Sequence, residues 1–223
     1  MAPENAQSLW RLARSQHGVV ARRQLLALRL SDEAIKHRLR RGRLHRVHRG
    51  VYAVGRPELT RHGKWMAAVL SCGDQAVLSH ASAAALWGIR DKEGRQIEIS
   101  VPGNRSPRHP GIRVHRRAAL TARDVTKRHG IPVTTPACTL IDIAPRLDDR
   151  QRETAINEAD KLDLIDPERL RKELDRRPGR AGTKPLKKVL DRHSFVLTTT
   201  ELERLFAPIA KRAGLPKPET QRG

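Results

Sequence analysis

The stretch from residue 31 to residue 54 constrains the fold of this chain more than any other feature. Ser31 is a typical N-cap at the start of a short helix, and Gly42 is placed to end that helix. Residues 44–54 then place apolar side chains on both sides of a turn at Arg49-Gly50, and although their alternation with polar residues is imperfect, the pattern predicts a hairpin of two short strands. A capped helix followed within three residues by a tight hairpin belongs to only a few small folds.

Two further helices are predicted before this stretch, and they identify the fold. Apolar residues at helical spacing predict helices over 4–16 and 22–28, with Val19 and Val20 as an extended link. Three helices followed by a small hairpin form a winged helix-turn-helix, in which the third helix enters the DNA major groove. The predicted fold class is α+β, with an N-terminal winged helix-turn-helix, an α+β middle domain and a helical C-terminal tail.

The charge of the same region points to nucleic acid. No Asp or Glu occurs between Glu33 and Glu58, while eight Lys and Arg residues lie there, in a chain with net charge +21. Charges of one sign repel each other, so a purely cationic block on ordered elements is best explained by a polyanion that neutralises it. The alternatives are a solvated helix face and an anionic membrane surface, but the sequence contains no long apolar run.

The predicted DNA contacts divide into three groups by position. Four side chains project from the third helix and its end, where a recognition helix meets base edges. Three follow in the wing and two open the second helix, where cations bind phosphate oxygens without distinguishing sequence. In that order, the predicted DNA-binding residues are Lys36, His37, Arg40 and Arg41; Arg43, Arg46 and Arg49; and Arg22 and Arg23.

Composition predicts two domain boundaries. Gly55-Arg56-Pro57 ends the first unit, and the polar stretch 176–182 ends the second. The predicted domains are 1–56 (winged helix-turn-helix), 57–175 (α+β) and 176–223 (linker and helical tail). Strands are predicted at 76–78, 96–101, 112–114 and 131–133, and helices at 60–70, 79–86, 136–143, 149–161, 166–175, 184–191 and 198–213.

No catalytic, metal or cofactor site is predicted. Ser79 and His80 could form a nucleophile and base, but a helix cap beside a first-turn histidine is the favoured interpretation. Cys72 and Cys138 lack the spacing of a zinc site, and two distant cysteines predict a reduced, cytoplasmic protein. Asp142 is interpreted as a cap or as a partner for arginine rather than as a catalytic acid.

Several segments together resemble a known family. They are Gly18-Val19-Val20, Ser31, Arg41–Val54 (RGRLHRVHRGVYAV), Leu78–Ala84 (LSHASAA) and Val133–Asp142 (VTTPACTLID). These segments resemble the AbiEi-type antitoxins of type IV toxin–antitoxin systems, especially the actinobacterial ones, over about residues 5–175. The resemblance implies a winged helix that binds operator DNA and represses its own operon. It also implies a remaining domain that counters a nucleotidyltransferase-like toxin, and a homodimer on two-fold symmetric DNA is compatible with it.

A second resemblance concerns the C-terminal tail. Leu197–Glu203 and Ala213–Glu219 look like the opening helix of a very-short-patch-repair-type endonuclease domain. Glu201 or Glu203 would match its first acid, but one acid cannot hold Mg²⁺ and activate water. We therefore expect a truncated nuclease-like tail and no enzyme activity. The alternatives are a nuclease, an antitoxin that contacts only protein, and a non-specific DNA-binding protein.

Overall fold

The computed structural model describes residues 3–91, 94–103, 108–118 and 120–193. Within those ranges the chain has an α+β fold. The helices are α1 (Pro3–Ser15), α2 (Arg22–Ala27), α3 (Asp32–Arg40), α4 (Arg61–Cys72), α5 (His80–Trp87), α6 (Pro136–Ile143), α7 (Asp149–Lys161), α8 (Pro167–Asp175) and α9 (Thr183–His193). The strands are β1 (Val19–Ala21), β2 (Leu44–His48), β3 (Val51–Val54), β4 (Val77–Leu78), β5 (Ile97–Pro102), β6 (Ile112–Arg117), β7 (Val125–Arg128) and β8 (Ile131–Thr134).

The N-terminal unit is the predicted winged helix. Helices α1–α3 pack against a three-stranded sheet of order β1-β3-β2, in which both pairings are antiparallel. Residues 19–20 were predicted to be an extended link, whereas in the structure they belong to a strand paired with β3. Val20 is fully buried between Leu9, Leu25 and Tyr52, so the link contributes to the small core.

Local signals set the ends of α3 and the wing, as predicted. The Ser31 hydroxyl accepts a hydrogen bond from the Ala34 amide at 3.2 Å, which caps the helix. Gly42 and Gly50 adopt φ of +62° and +74°, values that side chains disfavour, at the end of α3 and at the hairpin turn. The sequence therefore determines both turns through residues that tolerate this backbone conformation.

The second unit is built on a mixed five-stranded sheet of order β6-β5-β4-β8-β7. The β5–β6 and β4–β8 pairs are parallel, and the β4–β5 and β7–β8 pairs are antiparallel. Strands β4, β5, β6 and β8 match the predicted strands. Strand β7 was not predicted, because its sequence Val-Thr-Lys-Arg has one apolar residue and its order depends on pairing with β8 at the sheet edge.

Helix α4 lies between the two sheets. Its residues 65–70 are all buried, so the helix contacts apolar groups around its whole circumference, as expected of a helix enclosed by protein. Val19, Ala21 and Val51 of the winged helix belong to the same apolar cluster as this helix. A Cβ added at Gly63 would lie 2.9 Å from the His17 carbonyl oxygen, so this close approach requires glycine.

Helix α9 packs into the core of the second unit. Leu186, Val189 and Leu190 are buried in the cluster that also contains Leu170 and Leu174 of α8. Helix α9 therefore packs as part of the second unit, and the domains 1–56, 57–175 and 176–223 stay a prediction. The predicted helix 198–213 and the nuclease-like tail lie outside the described residues. Among the described residues, none of the helices is long and apolar enough to span a bilayer.

Candidate nucleic-acid interface

The outer face of α3 presents the predicted contacts to solvent. Ile35 is buried against the winged-helix core and Leu39 is half-buried. On the opposite side of the helix, Lys36, His37 and Arg40 are exposed. The nine residues of α3 span roughly 13 Å at about 1.5 Å per residue. The DNA major groove is wide enough to admit an α-helix, and α3 would present this polar face to the base edges.

The wing continues this cationic surface without a gap. Arg41 follows α3, and the Arg43 amide donates to the Arg38 carbonyl oxygen at 2.9 Å, which holds the start of β2 against the end of α3. Arg41, Arg43, Arg46 and Arg49 are all exposed. Seven of the nine predicted contacts are thus exposed cationic or imidazole side chains on one helix, its C-terminal turn and the adjacent hairpin. We call this group the α3–wing surface.

The five arginines of the α3–wing surface form no ion pair with a described carboxylate. No described carboxylate forms an ion pair with Arg40, Arg41, Arg43, Arg46 or Arg49. Their guanidinium groups keep donors for an external anion, and phosphate oxygens match the fork geometry of arginine. The surface is therefore equipped to bind the backbone of a duplex.

Three of the predicted DNA contacts, Lys36, Arg22 and Arg23, already bind carboxylates within the protein. Lys36 Nζ lies 2.7 Å from Glu33, and this hydrogen bond lowers the pKa of the Glu33 carboxyl. Arg22 Nη2 lies 2.6 Å from both carboxylate oxygens of Asp32. Asp32 and Glu33 reduce the net positive charge at the start of α2 and α3. Any phosphate that binds Arg22 or Lys36 must compete with these carboxylates.

Arg23 faces the second unit rather than α3. Its Nη1 donates to the Leu70 carbonyl oxygen at 2.9 Å, and its Nε lies 2.5 Å from Asp74. The i, i+3 spacing of Glu33 and Lys36 was a visible signal for their pairing, but no sequence pattern connects Arg23 with a carboxylate fifty residues later. A phosphate contact by Arg23 therefore stays a prediction, in competition with these two bonds.

Ser79 and His80 do not form a nucleophile and base. The Ser79 side chain is fully buried, and its hydroxyl lies 3.0 Å from His80 Nδ1. The Ala81 amide at the start of α5 donates to Glu98 at 2.9 Å, so a distant carboxylate, not the predicted Ser79 side chain, satisfies this helix end. A hydroxyl buried in this way is not accessible to a substrate.

Histidine rings gather where the winged helix meets the second unit. His62 of α4 lies 5.2 Å from His17 and 5.3 Å from His129, measured between ring centroids, and His17 Nε2 lies 2.7 Å from the His129 carbonyl oxygen. Burial and the neighbouring imidazoles lower the pKa of His62. Burial and His109 likewise lower the pKa of His48 in the wing. Within the described residues no three His, Cys, Asp or Glu side chains are arranged to bind a metal ion.

Two family models match the chain. A model described as the AbiEi antitoxin C-terminal domain matches residues 75–192, more than half of the chain. A model described as a transcriptional regulator, AbiEi antitoxin, matches residues 7–55, which contain the winged helix.

Individual proteins with similar sequence or structure come from Mycobacterium tuberculosis. The uncharacterized proteins MT2308 (strain CDC 1551 / Oshkosh) and Rv2248 (strain ATCC 25618 / H37Rv) are each 30% identical over 118 residues. The match spans 53% of this chain and 42% of the length of each relative. The crystal structure of RV2827C protein has a TM-score of 0.50 and 23% identity, and the match covers 86% of this chain and 78% of that chain. This structural likeness supports the α+β fold.

Proposed function

The chain belongs to the AbiEi antitoxin family, and from this premise we propose that it represses its own operon by binding operator DNA through the winged helix. The family is one of DNA-binding antitoxins and transcriptional regulators. The observation that supports operator binding is the α3–wing surface, where five exposed arginines lack a described carboxylate partner. No bond needs to be made or broken for this activity.

In this proposal the two parts of the surface have different tasks. Helix α3 enters the major groove, where His37 and Arg40 on its exposed face reach base edges and give sequence preference. The wing arginines Arg43, Arg46 and Arg49 bind phosphates and position the helix. Further phosphate or groove contacts come from Lys36, Arg41, Arg22 and Arg23. Before they can bind DNA, Lys36, Arg22 and Arg23 must be released from their internal partners.

Competition between the operator and random DNA tests this function. Fluorescence anisotropy with the upstream region of the gene, at physiological salt, should show binding at least about 1,000-fold tighter than to a shuffled duplex. The double variant His37→Ala/Arg40→Ala should lose most of this preference while keeping non-specific binding. Arg150→Gln, an exposed arginine on α7, serves as the control. Equal affinity of the native protein for both duplexes would support charge-driven binding alone.

We further propose that the second unit counters a nucleotidyltransferase-like toxin. Membership of an antitoxin family supports this role, since the matched C-terminal model covers the five-stranded sheet and helices α5 to α9 of that unit, almost to the end of α9. Co-purification of the chain with a nucleotidyltransferase encoded next to it is the expected result. If the pair forms but no DNA shift occurs even at low salt, the protein acts by contact with the toxin only, and the operator proposal is wrong.

The assembly on DNA and the tail are separate proposals. Binding of two copies to a two-fold symmetric operator would give a complex with two chains per duplex, measurable by light scattering. The nuclease-like tail at 197–219 is proposed to be inactive, in keeping with a family of regulators rather than enzymes. Incubation of supercoiled plasmid with the protein and Mg²⁺ should leave the plasmid intact, and nicking would favour the endonuclease alternative.

A further inference from the structure

A cleft in the second unit is lined by an excess of cationic and imidazole groups. Its volume is 430 Å³, which is in the range of small-molecule sites. The walls come from the start of α5, the end of β6, the α6 region and the loop before α9. The polar residues that line it are His80, His115, Arg116, Arg117, Asp142 and Arg180.

One buried carboxylate fixes two of the three cleft arginines. Asp142 accepts hydrogen bonds from Arg117 and, at 2.5 Å, from Arg180 Nη2. Arg117 is held further by Ser100, whose hydroxyl accepts from Arg117 Nε at 3.0 Å. Two guanidinium groups share one carboxylate, so their positive charge is only partly compensated. Arg116 adds an exposed guanidinium with no ion pair to a described residue.

Arg117 engages Nε, Nη1 and Nη2 with Ser100, Cys138 and Asp142, so an unused N–H remains on each Nη, and Arg180 keeps more unused donors. A guanidinium carries five N–H donors in a fixed plane. The internal bonds of Arg180 involve only its Nη2, so its Nε and Nη1 donors are available to a ligand. The positions of Arg117 and Arg180 are set by bonds to a buried acid, so little side-chain freedom is lost when a ligand binds. Pre-positioned, partly uncompensated guanidinium groups are suited to a doubly charged oxyanion.

The histidine wall is held in an unusual geometry. His80, the first residue of α5, has φ of +50°, and its ring stacks on His115 with centroids 3.7 Å apart and planes 20° apart. Glu98 anchors His115 through a hydrogen bond of 3.0 Å and also binds Arg146 at 2.6 Å. Burial, His115, Arg117 and Arg146 lower the pKa of His80 to about 3. A neutral His80 imidazole, oriented by its stacking on His115, therefore borders the cationic wall. Strained backbone of this kind is concentrated at ligand sites.

We propose that this cleft binds a phosphate monoester of about mononucleotide size, with the phosphate group held by Arg116, Arg117 and Arg180. The imidazole pair and the apolar atoms of Ile141 and Pro145 would face the remainder of the ligand. The volume excludes a folded partner domain but accommodates a phosphate with one ring system. Free phosphate and a nucleoside phosphate share the chemistry that this site recognises, and the experiment separates them.

The test is calorimetric titration of the full chain with three probes: inorganic phosphate, AMP and adenosine. Phosphate and AMP should bind, and adenosine, which lacks the phosphate, should not. AMP binding tighter than phosphate would identify a nucleotide as the ligand, and equal affinities would identify free phosphate. Absence of binding by both anions up to about 10 mM, where even millimolar affinity is visible, would overturn the proposal.

Variants locate the binding. Arg180→Gln and Arg116→Gln should each weaken AMP binding about tenfold, the effect of losing one charge-assisted hydrogen bond. Arg116 is exposed and outside any described ion pair, so its variant keeps the proposal testable if Arg180→Gln fails to fold. Arg113→Gln, an exposed arginine on the same strand but outside the cleft, is the matched control.

The α3–wing surface could also bind a phosphate probe, and the triple variant Arg43→Gln/Arg46→Gln/Arg49→Gln separates that event. AMP affinity unchanged in the triple variant supports the cleft. If the triple variant loses AMP affinity while Arg116→Gln keeps it, the binding belongs to the wing and the proposal is overturned. In NMR spectra, AMP should shift the imidazole resonances of His80 and His115 and leave those of His37 in place.

Discussion

Three arginines of the wing and two of the second unit are held in opposite ways. Arg43, Arg46 and Arg49 extend into solvent without an ion pair to any described residue. Arg117 and Arg177, by contrast, lie beside the buried carboxylates of Asp142 and Asp124 and are themselves largely enclosed. Arginine thus serves as an unpaired surface charge in one unit and as a side chain anchored by buried carboxylates in the other.

Buried and exposed charges contribute to different properties of the protein. A buried charge removed from its partner is strongly destabilising, whereas an exposed charge contributes little to folding. An exposed, unpaired cation contributes to the binding of a polyanion through counterion release. Mutations in the second unit should therefore change stability first, and mutations in the wing should change DNA affinity first.

The largest effect should follow Asp142→Asn. This change keeps the shape of the side chain but leaves Arg117 and Arg180 beside a neutral group. We expect the free energy of unfolding to fall by about 3 kcal/mol, measured by urea denaturation. Asp32→Asn, which breaks an exposed pair with Arg22, should lower it by less than about 1 kcal/mol. Similar losses of unfolding free energy in both variants would show that burial does not determine how much these ion pairs stabilise the protein.

The next largest effect concerns DNA. Arg43→Gln/Arg46→Gln/Arg49→Gln should weaken binding on the order of 100-fold at about 0.1 M salt, and should lower the salt slope of log K by about 2.7. The melting temperature should stay unchanged. As a control with the same change in net charge, Arg95→Gln/Arg123→Gln/Arg150→Gln removes three exposed arginines from the second unit. An equal loss of affinity in the control would show that net charge alone drives binding.

A smaller effect should appear on acidification. The pKa of His80 is lowered to about 3, and those of His48 and His62 are lowered from 6.5. The unfolded chain therefore binds protons below pH 6.5 that the folded chain does not bind, so stability is present above 6.5 and is lost as pH falls. We expect a loss of about 1–2 kcal/mol between pH 7 and pH 5, measured by denaturation at each pH.

The variant that tests this assignment is His80→Asn, because asparagine tolerates the positive φ at this position. Its stability should depend less on pH than that of the native protein. His37→Gln, on the exposed face of α3, is the control and should retain the native pH dependence. If both variants lose stability on acidification as the native protein does, His80 is not the group responsible.

The smallest effect concerns an arginine of the winged helix that already has an ion-pair partner. Arg22 lies in the winged helix but is paired with Asp32. Asp32→Asn should free Arg22 and remove a negative charge near the duplex, which should tighten DNA binding about two- to fivefold. Adding Arg22→Gln should abolish this gain. A gain that persists in the double variant would mean that Asp32 acts by simple repulsion.

The features that could be predicted from the sequence are those encoded by neighbouring residues. The Ser31 cap, the turns at Gly42 and Gly50 and the exposed face of α3 each depend on a few adjacent side chains, and the structure confirms them. Asp142 was correctly interpreted as a partner for arginine, but sequence spacing could not show which arginines it binds.

Contacts between distant residues were not accessible in this way. Strand β7 is ordered by β8, and Arg23 is held by Asp74, two features that depend on the tertiary fold. The same holds for the cleft, since β5 and β6 bring Glu98 and His115 together with His80 of α5. Ser79 and His80 were visible as a pair, yet their surroundings depend on residues up to a hundred positions away.

Helix α4 has a consequence for how the protein can be divided. Because Val19, Ala21 and Val51 are covered by this helix, a fragment cut at residue 56 would carry an uncovered apolar patch. A fragment extended to Cys72 would include α4, which covers this patch. The five-stranded sheet left behind would then lose its contact with the same helix. A chimera of two related chains should therefore fold only when α4 and the surfaces that it contacts on both sides come from one parent.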